Sequence, residues 1–309
     1  MRFRSKLLIT WVTLALLICV GSFWPIRSTI MASFDRVTSA AFAGTKRSLQ
    51  SLRAAQVSRM EQAGGLVIRI PELRALIVDN STELTPANRD SLQERLDSLA
   101  GLLSVTSVCV LDSSGRVLAQ NRDSAWASVP DLEHYLGATT EARQLRARLF
   151  GADGIAPRSQ DGLWNVDGKL YQVEGIPLTF GAAATDVQGA MILAAPLTDA
   201  MAAELARSHN CAVSFFTTRG VVASSLVGDD RADLGAALGP SPDVRLPDRD
   251  IRIGGQSYRS SFEPLIDQVS GIAVGGIAIA ASRQNAQAAL EAVWRDLLTI
   301  FACGMTIAA

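Results

Sequence analysis

Uncharged apolar runs stand at both ends of the chain, and the residues between them follow first a helical rhythm and then a strand rhythm. Leu7 to Trp24 carries no charge, and neither does Leu297 to Ala309. At about 1.5 Å per residue the first run rises roughly 27 Å, close to the hydrocarbon thickness of a bilayer, and the second roughly 20 Å, too short to cross. From Ser28 to about Gly64 there is no proline, and Ile30, Phe34, Val37, Ala41, Leu49, Leu52 and Met60 recur at helical steps. This spacing predicts one long helix continuous with the first apolar run. Pro71 opens a short helix to Val78, since proline is tolerated in a first turn. Thr85-Pro86 reads as an N-cap ahead of a helix striped by Leu92, Leu96, Leu99 and Leu103.

Strand patterns begin at Val105. Val105 to Leu111 turns at Asp112-Ser113-Ser114-Gly115 and returns through Arg116 to Gln120, a hairpin. A helical region from Pro130 to Phe150 follows, then strands at Leu163 to Val166, Leu170 to Leu178 and Val187 to Ala195. Asp167-Gly168 is a tight-turn signal between the first two. The order then repeats: a helix at Ala200 to Ser208, a hairpin of Ala212 to Phe216 and Val221 to Leu226, and strands at Ile251 to Ile253, Gln256 to Ile266 and Ile272 to Ala281. At an offset of 87, Gly168 and Tyr171 align with Gly255 and Tyr258, Pro177-Leu178 with Pro264-Leu265, and Gly189 with Gly276. A duplicated unit follows, each a five-stranded antiparallel sheet with helices. The insert of the second unit, Gly228 to Asp250, is rich in Gly, Pro and Asp and is expected to be mostly loop.

The formal net charge of -1 implies neither a nucleic-acid partner nor a strongly anionic surface. Arg2, Arg4 and Lys6 precede the first apolar run while only Arg27 follows closely, which places the N-terminus in the cytoplasm and the middle outside. The competing reading is a cleaved signal peptide with Ala41-Phe42-Ala43 as its site. An apolar core of 7–15 residues is usual for such peptides, and this run is longer, which favours an uncleaved anchor. Cys109 and Cys211 sit in apolar strand patterns and are expected to be buried free thiols. No Cys/His spacing resembles a metal site, and the histidines are His134 and His209.

The segments Val110-Leu111-Asp112-Ser113-Ser114-Gly115-Arg116-Val117-Leu118-Ala119, Asp167-Gly168-Lys169-Leu170-Tyr171-Gln172-Val173, Cys211 to Phe216 with Val222-Ala223-Ser224-Ser225, and Ala280-Ala281-Ser282-Arg283 follow in a particular order. In that order and spacing the chain resembles the double Cache extracytoplasmic sensor domains, two tandem PAS-like modules behind a long membrane-proximal helix. The resemblance covers nearly the whole chain and is specific for architecture, not ligand. It implies an α+β protein with a cytoplasmic tail at 1–6, a transmembrane helix at 7–26 and a helical stalk at 27–80. A membrane-distal module would occupy 81–196, a membrane-proximal module 197–283, and an exit helix with the start of a second transmembrane helix 284–309. The implied function is small-molecule sensing by a bacterial inner-membrane receptor, with about 27–296 periplasmic and a cytoplasmic output domain absent here. That output could be a diguanylate cyclase, a nucleotide cyclase or a histidine kinase. The implied partners are a small-molecule ligand, the lipid bilayer and a second copy of the chain, with no nucleic acid. The alternative is a ligand-free periplasmic interaction or spacer module.

No Gly-x-Ser-x-Gly, Walker loop, His-Glu-x-x-His or Gly-Gly-Asp-Glu-Phe occurs, so no enzyme, metal or cofactor is expected. The Arg-x-Trp-type motif of amino-acid-binding relatives is not found, so their ligand residues do not transfer. The candidate ligand residues are Trp126, Tyr135, Arg143, Trp164 and Glu174. Glu174 interrupts an apolar strand; an inward carboxylate needs a partner or a ligand cation, and an outward one is solvated. Pairing across the Asp167-Gly168 turn is expected to set Trp164 against Val173 or Gly175, beside Glu174. Such a pair suits an amine. Core packing is the plainer reading for Trp164, and the wet face of a helix is the plainer reading for Arg143. Trp126 reads as a lid or as packing.

Overall fold

The computed structural model describes residues 3–67, 70, 71, 75, 77, 85–103, 105–124, 126, 132–151, 156–179, 187–239 and 246–308. Their side chains are described except at most of 3–23 and at 66, 67, 86, 285, 297 and 300–308. Helix α1 (Phe3–Val67) is the long helix the spacing predicts. Among the described residues no helix is long and apolar enough to cross a membrane. The expected crossings at Leu7 to Trp24 and Leu297 to Ala309 fall mostly on side chains outside the described set. The expected helix from Pro71 to Val78 also lies largely outside it. Helix α2 (Pro86–Leu103) starts where Thr85 Oγ1 accepts the Asn88 N–H at 3.3 Å, and its Leu92, Leu96 and Leu99 are buried.

Two five-stranded antiparallel sheets follow. The first holds β1 (Ser107–Asp112), β2 (Val117–Gln120), β3 (Gln160–Val166), β4 (Lys169–Thr179) and β5 (Val187–Pro196), in the order β2-β1-β5-β4-β3. The second holds β6 (Ala212–Thr217), β7 (Gly220–Ser224), β8 (Arg249–Ile253), β9 (Gln256–Ile266) and β10 (Ala273–Ser282), in the order β7-β6-β10-β9-β8. The tandem PAS-like architecture implied by the resemblance is therefore the one the chain has. Between β2 and β3 lie α3 (Leu132–Ala138) and α4 (Thr140–Leu149), two helices rather than one, because Thr139 is extended and its hydroxyl caps the Ala142 N–H. Helix α5 (Asp199–His209) joins the modules and ends at Asn210 in the left-handed region.

The second insert corrects one expectation. It begins with helix α6 (Gly228–Leu238), not a loop, and its Leu234 and Leu238 pack with Phe216, Ile253 and Phe262. Asp229 and Asp230 suit the helix N-terminus, and Gly239 at φ 90° ends it. Helix α7 (Gln284–Ala308) leaves directly from β10.

Each sheet is buried on both faces, which is why its strands read as nearly continuous apolar runs. In the first, Val108, Val110, Ile176, Met191 and Leu193 face α1 and α2 together with Met60 and Leu92. Their alternating neighbours Cys109, Leu111, Val173 and Ile192 face α3 and α4. In the second sheet, Val213, Phe215, Ile277 and Ile279 pack with Phe42, Leu49 and Leu205, while Phe216, Ala278 and Ala280 pack with α6. Both central thiols are buried and free, as expected. Burial pushes the Cys109 thiol up to about 12, and the Cys211 Sγ lies 3.3 Å from Thr45 Oγ1.

The repeat is structural, with one adjustment. Strands β4 and β9 correspond at the offset of 87, but the connection after β9 is one residue shorter, so the partner of Gly189 is Gly275 and not Gly276. Gly189 pairs with Leu178 and Gly275 with Leu265, the aligned leucines. A Cβ on Gly189 would stand 2.4 Å from the Leu111 carbonyl oxygen, and one on Gly275 would stand 2.7 Å from that of Phe216. Leu111 and Phe216 each follow the irregularity in their own hairpin. The two modules thus repeat one close approach of backbones.

The modules meet where the β3–β4 hairpin docks on the second sheet. Leu163 and Leu170 join the core of the second module beside Leu265 and Val274. Asn165 Nδ2 donates to the Val274 carbonyl at 3.1 Å. Asp267, in the β9–β10 connection and 1% exposed, accepts the Leu163 N–H at 2.9 Å through Oδ1. Its Oδ2 accepts the Ser270 N–H at 2.7 Å and the Ser270 hydroxyl at 2.6 Å. The edge of β3 is thereby closed by a residue of the other module.

Two outcomes follow. Gly189→Ala should lose about 2 kcal/mol of stability, whereas Gly235→Ala, mid-helix with open space at its Cβ, should hold or gain; equal melting of both variants would contradict the close approach. Asp267→Ala should speed amide exchange at Leu163 roughly tenfold or more while Ile279 keeps its protection, and unchanged exchange at Leu163 would remove Asp267 as the edge cap.

Candidate functional site

On the α3–α4 face of the first sheet three of the five candidate residues come together. Trp126 and Trp164 are buried, their ring centroids 5.9 Å apart. Tyr135, from α3, stands 5.6 Å from Trp164 and donates its hydroxyl to the Asn165 carbonyl at 3.3 Å. Burial, then the charges of Glu141 and Asp267, raises the Tyr135 phenol above its ordinary value. Neither indole Nε1 has a hydrogen-bond partner. A buried donor left so costs about 1–3 kcal/mol, so this face presents two N–H groups suited to an acceptor. Gly162 makes room beside them: Asp267 Oδ1 and Trp164 Nε1 lie 2.8 and 3.8 Å from where its Cβ would be.

Arg143 and Glu174 are elsewhere. Arg143 is exposed on α4, its guanidinium turned to the Thr139 carbonyl at 3.4 Å and the Thr140 hydroxyl at 3.5 Å. Glu174 sits on the opposite face of the sheet from the tryptophans. The Asp167-Gly168 turn, with φ of 52° and 82°, closes on the pair Val166↔Lys169. That register sets Trp164 against Tyr171, not Val173 or Gly175, and sets Glu174 against Asp161. Alternation along β4 then sends Tyr171 and Val173 to one face and Gln172, Glu174 and Ile176 to the α1 face.

There α1, β3 and β4 enclose a cleft of about 400 Å³ lined by Arg53, Ser58, Glu61, Asp161, Gln172 and Gln268. Gln172, fully buried, donates through Nε2 to the Arg53 carbonyl at 3.2 Å. Its Oε1 has no partner, nor have Arg53 Nε, Gln56 Oε1 and Glu174 Oε2. Glu174 is 1% exposed. Burial first, then the charges of Asp161 and Glu61, holds its carboxyl at about 8. Burial lowers the Arg53 guanidinium, with Asp161 and Asp267 opposing. Sequence reasoning missed Arg53, Asp161 and Gln172, which are ordinary polar residues on one helix and two strands. The one signal available was that Gln172 and Glu174 share the inward parity of an apolar strand.

A second, more open cleft of about 430 Å³ lies between α5 and the second sheet, lined by Arg207, Cys211, Ser225 and Tyr258 among others. Among the described residues no group of three or more His, Cys, Asp or Glu could hold a metal ion.

No family model matches the chain, and no curated protein matches it. Solved structures do. The chain is similar to the sensor domain of the Vibrio cholerae histidine kinase DctB, with 13% identity over 81% of this chain and 98% of that one and a TM-score of 0.48. It is similar to the periplasmic domain of Vibrio cholerae LuxQ, with 13% identity, coverage of 80% and 98%, and a TM-score of 0.45. It is also similar to the ligand-binding domain of the Campylobacter jejuni chemoreceptor Tlp3 in complex with L-valine, with 10% identity, coverage of 84% and 97%, and a TM-score of 0.47. The tandem architecture rests on strand order, not on these likenesses.

The position of Glu174 gives a stability test. Its folded carboxyl titrates near 8 against an ordinary value of 4.5. Below the ordinary value both states are protonated and the shift has no effect. As pH rises from there the unfolded state ionises first, so stability falls until about pH 8 and then levels. Glu174→Gln should therefore match the parent near pH 4.5 and exceed it in melting temperature by a margin that grows to pH 8. A margin independent of pH would show that Glu174 is not buried as described.

Proposed function

We propose that this chain is the extracytoplasmic sensing region of a bacterial transmembrane receptor. A small molecule binds the distal module, and the change passes along the second module to a cytoplasmic output domain. The observation that supports this most directly is continuity. β10 ends at Ser282, α7 begins at Gln284, and Arg283 between them stacks over Phe34 of α1 at 5.7 Å. The last strand of the proximal module therefore feeds a helix held against the stalk, and both helices run into uncharged apolar sequence suited to a bilayer. Two stalks pairing along α1 would make a homodimer in the inner membrane, with the sheets in the periplasm; Val37 is 67% exposed on that helix. The chain is read as a sensor and not as a catalyst.

The ligand surface favoured is the aromatic group Trp126, Tyr135 and Trp164, whose unpartnered indole N–H groups call for an acceptor such as a carboxylate. The observation favouring the alternative, a ligand-free spacer or interaction module, is that both tryptophans are already almost fully buried. A thermal-shift screen of the full chain against amino acids, amines and carboxylates separates the two. The expected hit carries an acceptor and binds at least about fivefold more weakly to Trp164→Phe, which keeps the ring and loses the donor, while Arg143→Ala binds as the parent does. A screen with no stabilising compound would support the spacer.

A further inference from the structure

The cleft on the α1 face is separate from the aromatic group, since the whole thickness of the sheet lies between them. We propose that the cleft between the stalk helix and β3–β4 binds a small organic cation carrying ammonium groups, held by Asp161 and Gln172 from the sheet and Glu61 from the stalk, with Glu174 buried beside Asp161. Three observations carry this. First, Gln172 lines the cleft, is 0% exposed and has an unpartnered Oε1, and Glu174, on the same face of β4 and 1% exposed, has an unpartnered Oε2. Native interiors rarely leave such atoms without a donor. Secondly, two carboxylates, Glu61 and Asp161, line the cleft with one guanidinium, Arg53, whose charge Asp161 and Asp267 already favour. The balance calls for positive charge. Thirdly, the described carboxylates do not gather tightly enough for a metal ion. Spread oxygens along a cleft of about 400 Å³ fit a molecule with several N–H donors better than a single ion.

The charged groups facing Glu174 are Asp161 from β3 and Glu61 from α1; Arg53, also from α1, faces Asp161 and Asp267. Without a cation, Glu174 keeps its proton at neutral pH. An arriving ammonium keeps its own protons and, seated by Asp161 and Glu61, favours the ionised form of Glu174, whose carboxyl proton leaves to solvent. Binding therefore releases protons near pH 7, and affinity rises with pH up to about 8. Because the cation touches α1 and the distal sheet at once, its site bridges the element that enters the proposed membrane anchor and the module proposed to sense. The inference stands without the aromatic-face reading, because its residues are different.

The test uses the full chain in lipid nanodiscs, with 1,4-diaminobutane as the probe and butane-1,4-diol as its uncharged counterpart. Calorimetry at pH 7 in two buffers of different ionisation enthalpy reads affinity and protons released together. The expected result is binding of the diamine, no binding of the diol, and release of protons. Affinity should fall at least roughly tenfold in both Glu174→Gln and Asp161→Asn, with no change in Asp123→Asn, an exposed carboxylate away from the cleft. Glu174→Gln removes an unpartnered buried acid and is expected to fold, which keeps the test decisive. No heat up to about ten millimolar diamine, far weaker than a specific site would show, would overturn the proposal. So would equal binding of the diol, or unaltered affinity in Glu174→Gln. Any of these results would leave the response of the aromatic face untouched.

Discussion

One buried carboxylate joins the two halves of the molecule. Asp267 takes the edge N–H of Leu163 with one oxygen and the N–H and hydroxyl of Ser270 with the other. A polar side chain withdrawn from water is costly unless it is hydrogen-bonded, and here three donors serve it. The same contact disposes of an exposed strand edge, which would otherwise offer itself to another chain. With that edge closed, Leu163 and Leu170 can enter the second core, so the hairpin that forms part of one module also forms part of the next. Asp267 lies where both the aromatic face and the stalk side meet the joint, near Tyr135 on one hand and Arg53 on the other.

Strand β4 divides the chemistry between two faces. Tyr171 and Val173 look toward the α3–α4 insert with its tryptophans, while Gln172 and Glu174 look toward the stalk. A single backbone thus carries an apolar, aromatic surface on one side and a desolvated polar one on the other. Movement of β4 cannot alter one without the other, because successive side chains are fixed to opposite sides of the same pleat.

Much of the architecture was legible in the sequence because its signals are local. β9 runs from Gln256 to Ile266, as the apolar pattern between Gly254-Gly255 and the following polar turn predicts. The Asp167-Gly168 turn was legible because only a few residue types accept positive φ. What was illegible depended on partners far along the chain. Asp267 in Asp-Gln-Val-Ser-Gly looks like a solvated turn, and its role comes from Leu163, 104 residues away. The pairing of Trp164 was placed two or four residues off, which put Glu174 beside the wrong neighbour. Gly189 was matched to Gly276 instead of Gly275 because a one-residue difference in a connecting loop cannot be seen from aligned dipeptides. α6 was overlooked beneath its glycines, although Leu234 and Leu238 carried the helical spacing.

Thr45 and Ser48 grip α1 partway along its contact with the sheets, the one at Cys211 and the other at His209, 2.8 Å from the serine hydroxyl. A rod held in the two cores along its second half acts as a lever. Glu61 lies roughly 24 Å beyond Thr45 and Ile26 roughly 29 Å before it, at about 1.5 Å of rise per residue. Met60, one residue from Glu61, is held in the first core, so a rocking of about five degrees would show at the other end, carrying Ile26 roughly 2.5 Å at that rise.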